Sequence, residues 1–559
     1  MNDLLHRMDR TRLESWLTGA PAVVIAFVCC AMPLGWMVMV WMSNPEVRQQ
    51  LWLTPFRAEL LGRTLGYNGL AAVTATLMGL PAGFMLGRGR GWLARILWVL
   101  LPAALLMPSL SYAYGWSQVM RILQIFCEAH HLRFSIEPAG PIDLARCIWS
   151  LAAWLWAVPA GLIGLALRRM DTNVQQQALL DGALYRITLR QLFGPIIASL
   201  AIVTVMASQE FAVYEPSGIS VVATEVRMVF DTGFISSPQN SIASPISQGA
   251  GEGLSSPKQE KRAAAAVATT APLLVCTIFL AIIAMWGSRI ASASDSISTG
   301  SWPRALDAPW WVLVLTLLLL FLNVGVPVWA LVGSLHVPFS LPRMIDTFGP
   351  EIGGSIFVAV VAATVVLIAA LSAAGRWTTG LLAVGVVSFL IGGQLLAIAM
   401  IRIYNHPWLY WAYAAFPVPV IAYVARFSWL AMAAGKGTWT ASWKELRDMA
   451  ALDGAGTFRT AWSIVWPLGW PILAAGSLLV GCLSLTEVPA TVLLFPQNPM
   501  VLTPRLMTWL HQLRSDDMIN AALLMMMSVV VPALAAVMLT GVGMRVTALR
   551  AGRAKRNRP

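Results

Sequence analysis

The feature that most limits this chain is the recurrence of apolar runs about 20 residues long, the length an α-helix needs to cross a hydrocarbon core of roughly 30 Å. Twelve can be placed, near Gly19–Met42, Thr64–Leu86, Ile96–Met120, Ile148–Leu167, Gln191–Gln209, Ala263–Gly287, Ala308–Leu335, Ile352–Gly375, Trp377–Ile401, Pro407–Ala434, Ile464–Thr486 and Met518–Met544. Of 559 residues 58% are hydrophobic and 11% charged, against about a quarter charged in an ordinary soluble domain. A soluble fold could not hide that much apolar surface, so the expectation is an all-α polytopic membrane protein. The first run is long, continues through Gly35-Trp36-Met37-Val38 and lacks a small-residue cleavage pattern, so it is expected to stay as a membrane helix.

A net charge of +12 raises nucleic acid as a partner, and the distribution of that charge argues against it. With twelve spans and the N-terminus inside, Lys and Arg far outnumber Asp and Glu in the inner segments, and the excess vanishes in the outer ones. That asymmetry fixes topology and puts both termini in the cytoplasm. The basic tail, Arg545 through Arg558 without an acid, reads as a topology and lipid-surface anchor. Six cysteines form no Cys-x-x-Cys pair and fit ordinary packing.

Transporters are often built from duplicated halves, and one segment here occurs twice. Gln176-Gln177-Ala178-Leu179-Leu180-Asp181-Gly182-Ala183 reappears as Asp448-Met449-Ala450-Ala451-Leu452-Asp453-Gly454-Ala455. A proline follows each glycine at the same interval, Pro195 in the first copy and Pro467 in the second. Both copies fall in inner loops between the fourth and fifth helix of a six-helix half. The halves are then 1–287 and 308–559, joined by a polar connector at 288–307. A longer polar stretch, Val213–Arg262, lies outside.

Within each copy a short helix should end at Gly182 or Gly454, which accept φ > 0 without a Cβ penalty. A second helix follows. Tyr185, Leu189, Leu192 and Phe193 share one face of it, Arg186 and Arg190 another, and Phe458, Trp462, Val465 and Trp466 repeat the apolar pattern. Pro195 and Pro467 suit the first turn of the next membrane helix, where no backbone donor is missed. The outcome is a helix-turn-helix elbow. One Asp-Gly turn is usually just a turn; two at matched spacing on one face make a lever that a soluble partner could push.

These paired segments resemble the "EAA" loop of ABC importer permeases, Glu-Ala-Ala-x3-Gly-x9-Ile-x-Leu-Pro. Glycine, spacing and proline are kept. Gln176, Gln177 and Ala178 stand for Glu-Ala-Ala in the first copy, and Asp448, Met449 and Ala450 in the second; Gly194 and Trp466 replace the Leu before the proline. Ala422 to Phe427, Leu485 to Leu494, and Thr503-Pro504-Arg505-Leu506-Met507, echoed by Thr224-Glu225-Val226-Arg227-Met228, look like fused permeases of the ferric-iron group. The resemblance implies an inner-membrane permease of two tandem six-helix repeats with a periplasmic binding protein for delivery. Two ATPase subunits would grip the loops and carry the ATP, and this chain would hold no cofactor. Iron(III) is favoured over thiamine, sulfate or polyamine; an ATP-independent channel or secondary transporter is the more distant alternative.

Glu210 and Glu487, at the ends of the fifth helix of each half, are the candidates for a pathway or gate, because ionisable groups at membrane depth are expensive. Arg426 interrupts the tenth run and needs a carboxylate, carbonyl or water partner. Cys127, Glu128, His130 and His131 are metal-ligand types in one loop, but without a second ligand set they read as solvated. Gly435-Lys436-Gly437 lacks the glycine spacing and the following Ser or Thr of a phosphate loop. No metalloprotease motif or nucleophile triad supports an enzyme. Many of the 25 Trp residues sit near run ends, as interface anchors do.

Overall fold

The computed structural model describes residues 19–45, 54–89, 91–131, 136–170, 172–232, 257–292, 308–337, 339–373, 377–438, 446, 448–450, 452–494, 496, 498–512 and 514–556. The connector residues 293–307, residues 233–256 of the long polar stretch and the first 18 residues lie outside these. The helices used below are α1 (Gly19–Ser43), α2 (Pro55–Arg88), α3 (Gly91–Leu100), α4 (Ser109–Ala129), α5 (Pro141–Leu155), α6 (Ala157–Arg169), α7 (Thr172–Leu180), α8 (Leu184–Ser208), α9 (Val222–Thr232) and α10 (Pro257–Ser292). They continue with α11 (Trp310–Gly333), α12 (Leu341–Ser372), α13 (Thr378–Ile391), α14 (Gly393–Tyr404), α15 (Pro417–Thr438), α16 (Trp466–Thr486), α17 (Pro489–Leu494), α18 (Leu502–His511) and α19 (Ser515–Arg556).

Among the described residues, 10 helices are long and apolar enough to cross a membrane, or 11 if the bent pair α13–α14 is one span. The architecture is all-α and multi-pass. The twelve expected runs differ from this at the third, Ile96–Met120, which is not one helix. α3 ends at Leu100, a 3-10 turn covers Leu101–Ala103, and α4 starts at Ser109. Pro102 and Pro108 are the cause, since each removes a backbone donor and disfavours helical geometry in the residue before it. The ninth run also breaks, at Gly392, where α13 and α14 meet at 100°.

The chain divides into two compact units that interleave along the sequence. One comprises Asn44–Ser340 with Leu506–Ala522, the other Met1–Ser43 with Leu341–Arg505 and Leu523–Pro559.

In the first of these, α2 lies along α6 on a seam of glycines. A Cβ on Gly83 would come within 2.8 Å of the Ile163 Cβ, one on Gly87 within 2.5 Å of the Leu167 Cβ, and one on Gly164 within 2.8 Å of the Leu86 Cβ. Lipid gives apolar helices little reason to associate, so close backbone approach and its dispersion contacts supply the attraction. The same approach joins α8 to α10, where a Cβ on Gly287 would fall 2.5 Å from the Gly194 carbonyl oxygen. α11 joins this unit through a π turn, Phe321–Gly325, where Tyr112 of α4 donates to the Asn323 carbonyl.

In the other unit, α12, α15 and α16 pack together, and Ala22 of α1 sits in a cluster with Ala369, Ala373 and Met432. α1 carries its own π turn, Phe27–Ala31, and the Tyr404 hydroxyl donates to the Val28 carbonyl at 3.0 Å. A π turn displaces carbonyls from the ordinary ladder, and in each unit a tyrosine supplies a donor there.

Candidate functional site

The repeated segments fold into the same turn. α7 ends with Gly182 at φ +65; the Ala183 amide donates to the Ala178 carbonyl at 2.8 Å, the Gly182 amide to Leu179 at 3.2 Å, and the Asp181 amide to Gln177 at 3.0 Å. This is a Schellman cap, in which a left-handed residue lets two amides reach carbonyls the helix leaves unpaired. In the second segment Gly454 has φ +73. The Ala455 amide donates to Ala450 at 2.9 Å and the Asp453 amide to Met449 at 3.0 Å. Arg447 and Ala451 of this segment lie outside the described residues.

Leu180 and Leu452, the last helical residue before each turn, are each 87% exposed, whereas Ala178 is buried. Of the face expected after the first turn, Leu192 is buried with Ile163, Leu167 and Met170, while Tyr185, Leu189 and Phe193 are exposed. After the second turn Phe458 stacks on Trp462, and Trp462 lies 4.7 Å from Trp466 between ring centroids. Each elbow therefore presents apolar and aromatic side chains beside its turn.

Neither proline opens a helix. Pro467 follows a π turn, Ala461–Val465, that joins Thr457–Thr460 to α16 in one unbroken helical run, so it lies about ten residues inside that run. Pro195 is not in a first turn: it lies inside the continuous helix α8. The elbow's second helix and the apolar run have merged there, which membrane helices tolerate when neighbouring groups re-satisfy the freed carbonyl. Gln175, which the sequence did not single out, is 1% exposed and its amide has no partner among the described residues.

Beyond each elbow a second matched feature appears. The Val222 amide, first in α9, donates at 2.9 Å to Thr64 Oγ1, which donates to the Leu60 carbonyl at 2.7 Å. In the other unit the Leu502 amide, first in α18, donates at 2.9 Å to Ser355 Oγ, which donates to the Glu351 carbonyl at 2.8 Å. A hydroxyl on a long helix thus satisfies an orphan amide at the start of a short one. One β-hydroxyl residue among many in an apolar run gives no sequence signal of this.

Glu210 and Glu487 are both buried, each just after the helix that follows its elbow. Glu210 accepts from Ser109 Oγ at 2.9 Å. Glu487 pairs with Arg426, Nε to Oε1 at 2.9 Å, and Arg426 also stands over the Phe389 ring at 5.3 Å. The two charges that the sequence treated separately are therefore partners. Outside the spans, Arg227 of α9 pairs with Glu215 and lies 3.6 Å from Asp231. Burial pushes both carboxyls up from the ordinary range while Arg227 pulls them down.

Cys127, Glu128, His130 and His131 fall at the end of α4 and the turn after it, and no group of three or more His, Cys, Asp or Glu among the described residues is arranged to hold a metal ion. Compared with known proteins, the chain matches no family model, no curated protein and no solved structure.

Proposed function

We propose that this chain is the permease of an ATP-driven importer in a cell's inner membrane, built from two tandem six-helix repeats and twelve membrane passages with both termini in the cytoplasm. On this reading α3–α4 and α13–α14 are the broken third helix of each repeat. Gln176, Gln177, Ala178, Asp181, Gly182 and Pro195 form one ATPase-coupling loop, and Asp448, Met449, Ala450, Asp453, Gly454 and Pro467 the other. The observation that carries it is the pair of glycine-capped turns with the same amide-to-carbonyl bonds. The twin hydroxyl anchors at Thr64 and Ser355 support the same repeat.

Two ATPase subunits dock on the elbows and a periplasmic protein delivers the substrate, iron(III) being favoured by the motif resemblance. ATP stays on the partners, and closure of the ATPases moves both elbows and shifts the halves between two access states. Glu210 and Glu487 lie along the pathway or its gate.

Replacing both Gly182 and Gly454 by Val strains each turn by about 1–2 kcal/mol, because an L side chain resists the left-handed region. Uptake in proteoliposomes containing the complete complex should fall while ATP hydrolysis persists. Coupled uptake unchanged in that double variant overturns the proposal. So does purification of the chain from native membranes without an ATPase, which favours a channel or secondary transporter. Thiamine, sulfate or a polyamine in the co-purified binding protein would replace iron as the cargo.

A further inference from the structure

The ninth apolar run breaks at Gly392, and a carboxylate stands at the break. Gly392 has φ 90 and ψ 153, a conformation that side-chain-bearing residues avoid. The 14 residues of α13 rise about 21 Å, less than a core of roughly 30 Å, so α14 begins within the apolar layer. Its first amides have no partner inside the helix, and that end carries roughly half a positive charge.

Glu487 is the group that meets it. A Cβ on Gly393 would lie 2.5 Å from Glu487 Oε1, so glycine is what lets the carboxylate approach the start of α14. The same oxygen lies 2.9 Å from Arg426 Nε and accepts from the Ala490 amide at 3.3 Å. A second observation is independent of these. Gln394 is 6% exposed, and its Nε2 has no partner among the described residues. Helical side chains lean toward the N-terminus of their helix, so this amide, on the second residue of α14, faces the break. A buried donor left unsatisfied is destabilising, and the Glu487 carboxylate does not relieve it.

We propose that the break at Gly392 is a binding site for a small oxyanion group, a carboxylate, phosphate or sulfate, that takes the place of the Glu487 carboxylate. Arg426, the Gln394 amide and the first N–H groups of α14 hold it. Discontinuous membrane helices present their N-termini to anionic solute groups in this way. Glu487 is the resident occupant, and an arriving oxyanion turns it out because both compete for Arg426. Docking of an ATPase plays no part in this site.

The test uses the full chain in neutral detergent, with thermal unfolding followed against sodium sulfate and, at matched ionic strength, sodium chloride. Glu487→Gln should raise the apparent affinity for sulfate about tenfold over the unsubstituted chain. Adding Arg426→Gln should abolish the sulfate response, and adding Gln394→Leu should weaken it severalfold without changing the chloride response. No sulfate-specific shift in Glu487→Gln overturns the site, as does a shift that survives Arg426→Gln. Protection by phosphatidylglycerol but not by sulfate overturns it in favour of a lipid phosphate. Should the Arg426 variant fail to fold, an undiminished response in the Gln394 variant overturns it alone. Neither ATP nor a partner enters, so failure here leaves the coupling-loop proposal standing.

Discussion

Arg426 Nε lies 2.9 Å from Glu487 Oε1, with both side chains buried. The pair joins α15 to the segment between α16 and α17, and Tyr423, one turn before Arg426, reaches Thr491 at 2.9 Å across the same junction. Removing one charge of such a pair leaves the other stranded in low dielectric. Glu487→Ala should therefore cost about 3–5 kcal/mol, whereas replacing both partners by apolar residues of similar volume should cost far less. Denaturant unfolding in detergent of the single and double variants checks this; equal losses in both would show that the pair contributes only packing.

The glycine seam between α2 and α6 should tolerate almost nothing larger. Gly83→Leu forces the helices apart, because even a Cβ there would come 2.9 Å from the Ala160 carbonyl oxygen, which is backbone and cannot rotate away. Overpacking of this kind costs about 1–3 kcal/mol or more. The expected outcome is a lowered unfolding midpoint, while the same change at Gly161, where nothing lies within 4 Å, has little effect.

Thr64→Val and Ser355→Ala each delete the acceptor of a short helix's first amide. Each should cost about 1 kcal/mol, with the loss local to α9 or α18. Hydrogen exchange should accelerate at Val222 in one variant and at Leu502 in the other. An effect in one unit only would argue against equivalence of the two anchors.

Gln175→Leu removes a buried amide that has no partner among the described residues. The change should be neutral or stabilising by about 1 kcal/mol, since the desolvation cost disappears and the volume is kept. A lowered unfolding midpoint would show that the amide is bonded in solution.

What could be read from the residues alone is local in origin. Helix length and hydropathy depend on twenty consecutive residues, so the multi-pass all-α class was plain, and errors arose only where proline or glycine acts inside a run, as at Pro102, Pro108 and Gly392. The turns at Gly182 and Gly454 were legible for the same reason, because a left-handed cap is decided by one residue and its immediate carbonyls. Pro195 and Pro467, both expected in a first turn, lie inside helical runs, since whether a proline starts a helix or sits inside one depends on what surrounds its freed carbonyl.

Everything else required the helices to be rotated and tilted against each other. Glu487 was marked by its charge and Arg426 by its position in an apolar run, yet nothing in the sequence joined them. The bonds from Val222 to Thr64 and from Leu502 to Ser355 are equally silent. The grouping of α1 with Leu341–Arg505, and of α11 with the helices that precede it from Asn44 onward, is likewise a matter of packing. The apolar sequence by itself determined that this chain forms membrane-length helices with two glycine-capped elbows. Only the tertiary structure decided which helix faces which, because hydropathy fixes that a helix spans, while its rotation and tilt follow from neighbours, close glycine contacts and buried charge pairing.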